Sequence, residues 1–407
     1  MAQEDRRTQA AGYGRLSDSN WRAVWAVFAG GLVAGAYIGK VPPALPVLRA
    51  DFGLTLVDTG YIATMLNVMG GLTGMFAGVF SDRFGHKRIA LGGLALMAAG
   101  GLVGALAPGY ALLLLSRFLE GIGFIMMTVA GVALTAHAVS SAERPKAMTL
   151  WSCYMPAGGS LAMLAASAAL AVFDWRSLWI LMSALAIACF AFVARSVPPR
   201  ASHSTVGLLR LGAESLTHPA SLLLCLSFAG YVAQWAAFIT WLPTFVIGER
   251  GGSTTLGALL TALWVGINVP GVLFGGWLMA RGARRSRMIV LASGIQALAA
   301  GGAFLDVLPD WGRYLSCLAF SFFGGLIPTA VFSGVAALAR SPQHIGTTNG
   351  MVMQVSQLTQ FVSPIVVAWI AARLGWGASL PVMLAFATCA AAGGLILARI
   401  ERSKISP

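Results

Sequence analysis

Apolar runs, each long enough to cross a bilayer and following one another almost without pause, leave this chain little choice of fold. A hydrocarbon core of about 30 Å takes about 20 consecutive apolar residues wound as a helix. In that solvent every backbone N–H and C=O must find its partner inside the segment, which a helix provides. Twelve such segments can be marked, at 21–47, 57–80, 89–107, 110–136, 147–172, 177–193, 220–246, 256–280, 288–305, 314–338, 347–372 and 378–398. Composition agrees, with 57% apolar and 10% charged residues, against about 25% charged in soluble domains. The expectation is an all-α membrane protein with twelve transmembrane helices and the lipid bilayer as its first partner.

The charges give an orientation. A net charge of +13 would suit a nucleic-acid binder, but the bases lie in short clusters between apolar segments and form no polybasic arm, so no nucleic acid is expected. Of the 27 Lys and Arg, twenty fall on one side of the alternating segments and five on the other. The side rich in bases faces the cytoplasm. Both termini are therefore expected inside. The chain divides into a cytoplasmic tail 1–20, an N-terminal six-helix bundle 21–194, a cytoplasmic linker 195–218 marked by Pro198-Pro199, a C-terminal six-helix bundle 219–399 and a tail 400–407. The polar tail lacks a signal peptide's apolar region, so the first helix is expected to act as its own uncleaved signal. The five Cys all sit in apolar runs and have no disulfide or zinc spacing. No metal and no cofactor are expected.

The halves repeat. Phe28-Ala29-Gly30 is answered by Phe228-Ala229-Gly230, Pro43 by Pro243, and Trp175 by Trp376. Two pseudo-symmetric bundles in parallel register place a solute site near the midplane between them. Between the second and third segments lies Gly78-Val-Phe-Ser-Asp82-Arg83-Phe-Gly85-His-Lys87-Arg88, and a weaker copy begins at Gly276, with Ala280 where the first has its acid. This stretch closely resembles the G-x-x-x-D-R-x-G-x-[KR]-[KR] signature of the major facilitator superfamily, and the likeness covers nearly the whole chain. The resemblance implies the major facilitator fold and a bacterial inner-membrane secondary transporter, monomeric, working by alternating access. It also implies that Gly78, Asp82, Arg83, Gly85, Lys87 and Arg88 belong to the cytoplasmic gate, with Asp82 and Arg83 locking it through contacts with neighbouring helix ends.

Only two bases fall inside the membrane, Lys40 and Arg117. A charge at mid-membrane costs about 2.5–3.5 kcal/mol on insertion scales, so such residues generally face a wet cavity. Arg117 and Glu120 stand three residues apart on one helix face, in a stretch resembling the family's R-x-x-[QE]-G-x-G motif, whose Arg lies in or beside the central cavity. The alternative is a structural ion pair. Lys40, next to Tyr37 and ahead of Pro42-Pro43, either lines the same cavity or lies near the outer end with its amine reaching the surface. Trp151 and Tyr154 either close the pocket or are bulk. In the second half no charge is expected inside, and Gln234, Trp241 and Gln360 are the substrate candidates. Gln360 shares a polar stripe with Asn349, Ser356 and Ser363 that equally suits helix packing.

Two bases against one acid favour a small anion, such as a carboxylate or a cyanate-like species. The stretch at Trp151, Met155 and Pro156 resembles the cyanate-transporter-like branch. A monoanion entering against an inside-negative potential faces about 2.3 kcal/mol per 100 mV, and one accompanying proton removes that term. Proton symport is therefore expected, with Glu120 as the proton site. The rival is proton-coupled multidrug efflux, suggested by Pro156-Ala-Gly158-Gly159, which partly resembles the antiporter motif G-P-x-x-G-G. A non-transporting membrane sensor is the reading from another class, although the longest loop is too short for a soluble domain. Neither H-E-x-x-H nor G-x-S-x-G occurs, so an enzyme is not expected.

Overall fold

The computed structural model describes residues 19–170, 172–199, 208–248, 254–305 and 307–403. Most of the expected tail 1–20, the middle of the linker and the last four residues lie outside them. All regular structure in the described residues is helical. The first half contains α1 (Trp21–Gly39), α2 (Val41–Phe52), α3 (Leu56–Phe84), α4 (His86–Ala105), α5 (Tyr110–Ala138), α6 (Arg144–Ser152), α7 (Tyr154–Ala169) and α8 (Trp175–Ser196). A short linker helix, α9 (Leu208–Leu216), precedes α10 (Pro219–Gly248), α11 (Thr254–Gly266), α12 (Asn268–Ala280), α13 (Arg285–Phe304), α14 (Asp310–Gly324), α15 (Leu326–Leu338), α16 (Ile345–Leu374) and α17 (Leu380–Ser403).

Local signals set the ends. Asn20 opens α1 by accepting from the Ala23 amide at 3.0 Å, which satisfies a donor the helix cannot. Thr55 and Asp58 form a reciprocal capping box at the start of α3. Gly85, with φ of +100°, turns α3 directly into α4, a conformation other residues rarely adopt.

Four membrane spans are interrupted, and one physical rule places every break. Proline has no N–H, and its ring collides with the carbonyl four residues earlier. Pro43, Pro156, Pro270 and Pro328 stand four residues after Gly39, Ser152, Gly266 and Gly324, which are the last residues of α1, α6, α11 and α14. Pro364 is accommodated inside α16 without a break. Eleven helices are long and apolar enough to span by length and composition. The twelfth span is the pair α6 and α7, of 9 and 16 residues, neither long enough to cross alone. The result is twelve transmembrane helices in two pseudo-symmetric six-helix bundles.

Glycines let helices touch. A Cβ on Gly158 would lie 2.2 Å from the Leu32 carbonyl oxygen, and one on Gly39 2.2 Å from that of Gly159, so α1 and α7 meet backbone to backbone. Gly158→Val is expected to abolish the monodisperse species seen by size-exclusion chromatography. Gly60→Ala, with nothing within 4 Å of the new methyl, should leave it unchanged. Between the halves, Gly70, Gly74 and Gly78 of α3 receive Gln357, Gln354 and the Gly346–Thr347 backbone of α16. The expectation that the second half buries no charge is corrected: Arg313 is 6% exposed and Glu401 8%. Arg313 donates to the Ala303 carbonyl at 3.0 Å, and Glu401 accepts from Ser286 Oγ at 2.6 Å.

Candidate functional site

A central cavity lies where the two halves face each other. Its space for a water-sized sphere is about 60 Å³, enough for a few waters. The proline breaks build much of its wall, since Ser152, Pro156, Asn268 and Pro328 all line it. Phe124 and Tyr154 come from the first half, and Phe228, Tyr231, Trp235 and Phe332 from the second. The polar part is made of amides and hydroxyls. Asn268 Nδ2 donates to the Ser321 carbonyl at 2.6 Å and to Tyr231 Oη at 3.3 Å. Gln360 Nε2 donates to Gln357 Oε1 at 2.8 Å and to Ser356 Oγ at 3.2 Å. Trp235 Nε1 and Gln357 Nε2 have no partner among the described residues. Among the described residues this wall carries no Asp, Glu, Lys, Arg or His.

The two bases expected on that wall are elsewhere. Lys40 Nζ lies 2.7 Å from Glu120 Oε1, and Arg117 Nη1 pairs with Glu120 Oε2. Arg117 also donates to the Ile62 and Tyr37 carbonyls, both at 3.3 Å. The Lys40 amine sits over the rings of Tyr37 and Trp179, 4.2 and 4.3 Å from their centroids, a favourable cation–π arrangement. Tyr37 Oη donates to the Met97 carbonyl at 2.9 Å. Exposure of Lys40, Tyr37, Arg117 and Glu120 is at most 1%. In this conformation Lys40, Tyr37 and Arg117 therefore do not line the central cavity. Nor does the Lys40 amine reach the surface. The physical reason is that one carboxylate between two cations lowers the cost of burying all three, and no water-filled wall is needed. The group instead ties α1, α3, α4, α5 and α8 together.

The other candidates divide. Tyr154 and Gln360 line the cavity. Trp151 lies behind the wall, stacked on Tyr154 at 4.7 Å between centroids. Gln234 is buried and donates to the Gly230 carbonyl at 3.1 Å. Trp241 borders a second cavity of about 260 Å³ inside the second half and donates to the Pro364 carbonyl at 2.9 Å.

At the end of the bundle that carries the basic loops, Asp82 reaches across the halves. Its carboxylate accepts from the Gly346 amide at 2.9 Å, and from the Thr347 amide and hydroxyl at 2.5 Å each. These amides belong to the first turn of α16, so an acid of the first half caps a helix of the second. Gly78 is in backbone contact with Gly346, and Lys87 donates to the Ala194 carbonyl at the end of α8 at 2.8 Å. Arg83 and Arg88 are exposed. Asn349 Nδ2 adds bonds to the Thr128 and Val129 carbonyls at 3.2 and 3.1 Å. On the linker helix, Glu214 meets Arg210, His344 and Arg340 at 2.6, 3.1 and 3.6 Å. The hydrogen bond from Arg210 holds its carboxyl below the usual carboxylate range.

Phe124, Phe332 and Gln357 were not singled out from the sequence, and Phe228 only as part of the internal repeat. The rings are ordinary apolar residues until the fold turns them inward. Gln357 lies about 80° from Asn349 around the helix, outside the polar stripe.

A cavity between two pseudo-symmetric helical halves, with one end closed by contacts between them, is the layout of a membrane transporter. The chain belongs to the Major Facilitator Superfamily, whose family model matches residues 26–364. It is 26% identical to the "Probable 4-methylmuconolactone transporter" of Cupriavidus pinatubonensis, over 84% of this chain and 88% of that protein. It is 27% identical to the 3-(3-hydroxy-phenyl)propionate transporter of Escherichia coli K12, over 88% of each. It is also 27% identical to the multidrug resistance protein MdtL of Escherichia coli O45:K1, over 82% of this chain and 84% of that one. The solved proton:xylose symporter XylE superposes with a TM-score of 0.78, at 15% identity, over 94% of this chain and 95% of that one. The protein is a transporter of small solutes.

Proposed function

We propose that the protein takes up a small organic acid with a flat unsaturated or aromatic skeleton, together with a proton, across a bacterial inner membrane. The end with the basic loops faces the cytoplasm, as do both termini, and a monomer suffices. The observation that carries this reading is the central wall: aromatic rings from both halves, with amides and hydroxyls between them and, among the described residues, no fixed charge. Rings accept flat faces, and amides bind carboxyl or carbonyl oxygens. Two of the relatives are named for a lactone and for a phenylpropionate, substrates of this kind. The coupling proton removes the electrical cost of carrying a negative charge inward. Glu120, held by two bases, serves in this proposal as a brace.

Purified protein in proteoliposomes is expected to accumulate labelled 3-phenylpropionate when the outside is acid, and to stop when a protonophore is added. Equal uptake into protein-free vesicles would overturn the reading. Multidrug efflux is the second reading, favoured by the likeness to MdtL and by the aromatic wall. It requires a hydrophobic cation to ride a proton gradient outward. The lack of a carboxylate on the described wall leaves such a cation without a counter-charge, which weighs for the acid.

A further inference from the structure

We propose that the central cavity takes its acid as the uncharged, protonated molecule, with Trp235 Nε1–H and Gln357 Nε2–H donating to the carboxyl oxygen. The proton then crosses on the cargo and on no side chain. The inference rests on reading this cavity as the substrate site.

Three observations meet here. First, buried N–H groups without a partner are rare in native proteins, yet two residues that line this one cavity carry such a group. Trp235 is 8% exposed and Gln357 0%, and neither nitrogen has a partner among the described residues. Second, both are held in place. Gln357 Oε1 accepts from Gln360 at 2.8 Å, which commits that end of the amide, and Gly70 lies so close beneath that a Cβ there would come within 2.6 Å of Gln357 Cγ. The Trp235 indole packs against Trp264 at 5.7 Å between centroids. Third, no cation is at hand. Lys40 and Arg117 are engaged by Glu120 inside the first half, and among the described residues the wall has no base. Its titratable side chains are the phenols of Tyr154 and Tyr231, neutral at physiological pH.

Burying a bare carboxylate against neutral donors costs far more than burying the acid, which gives up one hydrogen-bonding group and no charge. The protonated carboxyl accepts from the two N–H groups. Its own O–H finds acceptors on the same wall, in the Gln360 amide oxygen and Ser356 Oγ. A site of this kind selects against permanent anions. It also makes uptake electroneutral, at one proton per acid, without a titrating residue in the transport path.

The test uses purified full-length protein in nanodiscs and three probes of matched shape: 3-phenylpropionic acid, its primary amide and 2-phenylethanesulfonate. The amide should bind with an affinity independent of pH. The acid should bind in proportion to its protonated fraction, so that apparent affinity falls about tenfold per pH unit above the acid's own pKa. The sulfonate should not bind. Trp235→Phe keeps a ring but loses the donor, and Gln357→Met keeps the length but loses the amide. Each should weaken amide binding about two- to tenfold, with the protein still monodisperse. An acid affinity that is flat with pH, or a sulfonate that competes as well as the amide, overturns the proposal while leaving organic-acid transport standing. Unchanged amide binding by both variants overturns the donor assignment. If none of the three probes binds, the acid reading of the cavity falls and this inference with it.

Discussion

Glu120→Gln is expected to cost about 3–5 kcal/mol of folding stability, whereas Lys40→Met should cost about 1 kcal/mol or less. The asymmetry follows from counting charges. The buried group has two bases and one acid, with Lys40 and Arg117 on separate oxygens of the same carboxylate. Removing the carboxylate leaves two cations facing each other at no more than 1% exposure. Replacing Lys40 by a side chain of similar length leaves Arg117 matched to Glu120 and lets the thioether pack against Tyr37 and Trp179, where the amine now lies. Unfolding in mixed micelles, followed by tryptophan fluorescence, measures both. Equal costs would show that the three do not act as one cluster centred on the carboxylate. Because neither base touches the central wall, Lys40→Met should also leave acid binding intact. A large rise in the dissociation constant would put the amine back on the substrate path.

The membrane architecture was open to reading from sequence because burial in hydrocarbon writes itself directly into composition and segment length. The helix breaks were equally legible in principle. Each follows from a single proline and the carbonyl four residues before it, as with Pro156 and Ser152. The site was harder. A charge inside the membrane draws attention in a sequence, so Lys40 and Arg117 stood out, yet their pairing with Glu120 depends on how α1 and α5 meet across 80 positions of chain. That contact takes both bases off the central wall in this conformation. Conversely, Phe228 and Gln357 look unremarkable in the chain, and only the facing of the two halves turns them to one cavity. Trp235 illustrates the limit well. Its residue type is plain in the sequence, but the feature that matters, an N–H with nothing to donate to, exists only in three dimensions.

Asp82→Asn should shift the resting population toward a conformer opened at the basic end, by about thirty- to a hundredfold. Asp82 receives three donors from α16, the Gly346 amide on Oδ1 and the Thr347 amide and hydroxyl on Oδ2. Hydrogen bonds to a charged acceptor contribute about 1.5–3 kcal/mol each, and an anion at a helix N-terminus adds about 0.3–1 kcal/mol. Asparagine keeps one acceptor oxygen, but whichever way the amide turns, its NH2 must face a backbone donor. The bonds exist only while the halves are closed at this end, because they run from α3 to α16. In the opened conformer water satisfies both partners, so the substitution penalises one state and spares the other, which is the condition for a population shift. A net loss of about 2–2.8 kcal/mol gives the stated factor. Spin labels at exposed Phe84 and Gln343, in a background lacking the exposed Cys389, should report a longer distance gaining weight. Gly346→Ala tests the same contact from the other side, since its methyl would come within 2.5 Å of Asp82 Oδ1. It should open the same end. An unchanged distance distribution in both variants would mean that the closed end is held by contacts such as those of Asn349 with Thr128 and Val129, with Asp82 contributing nothing.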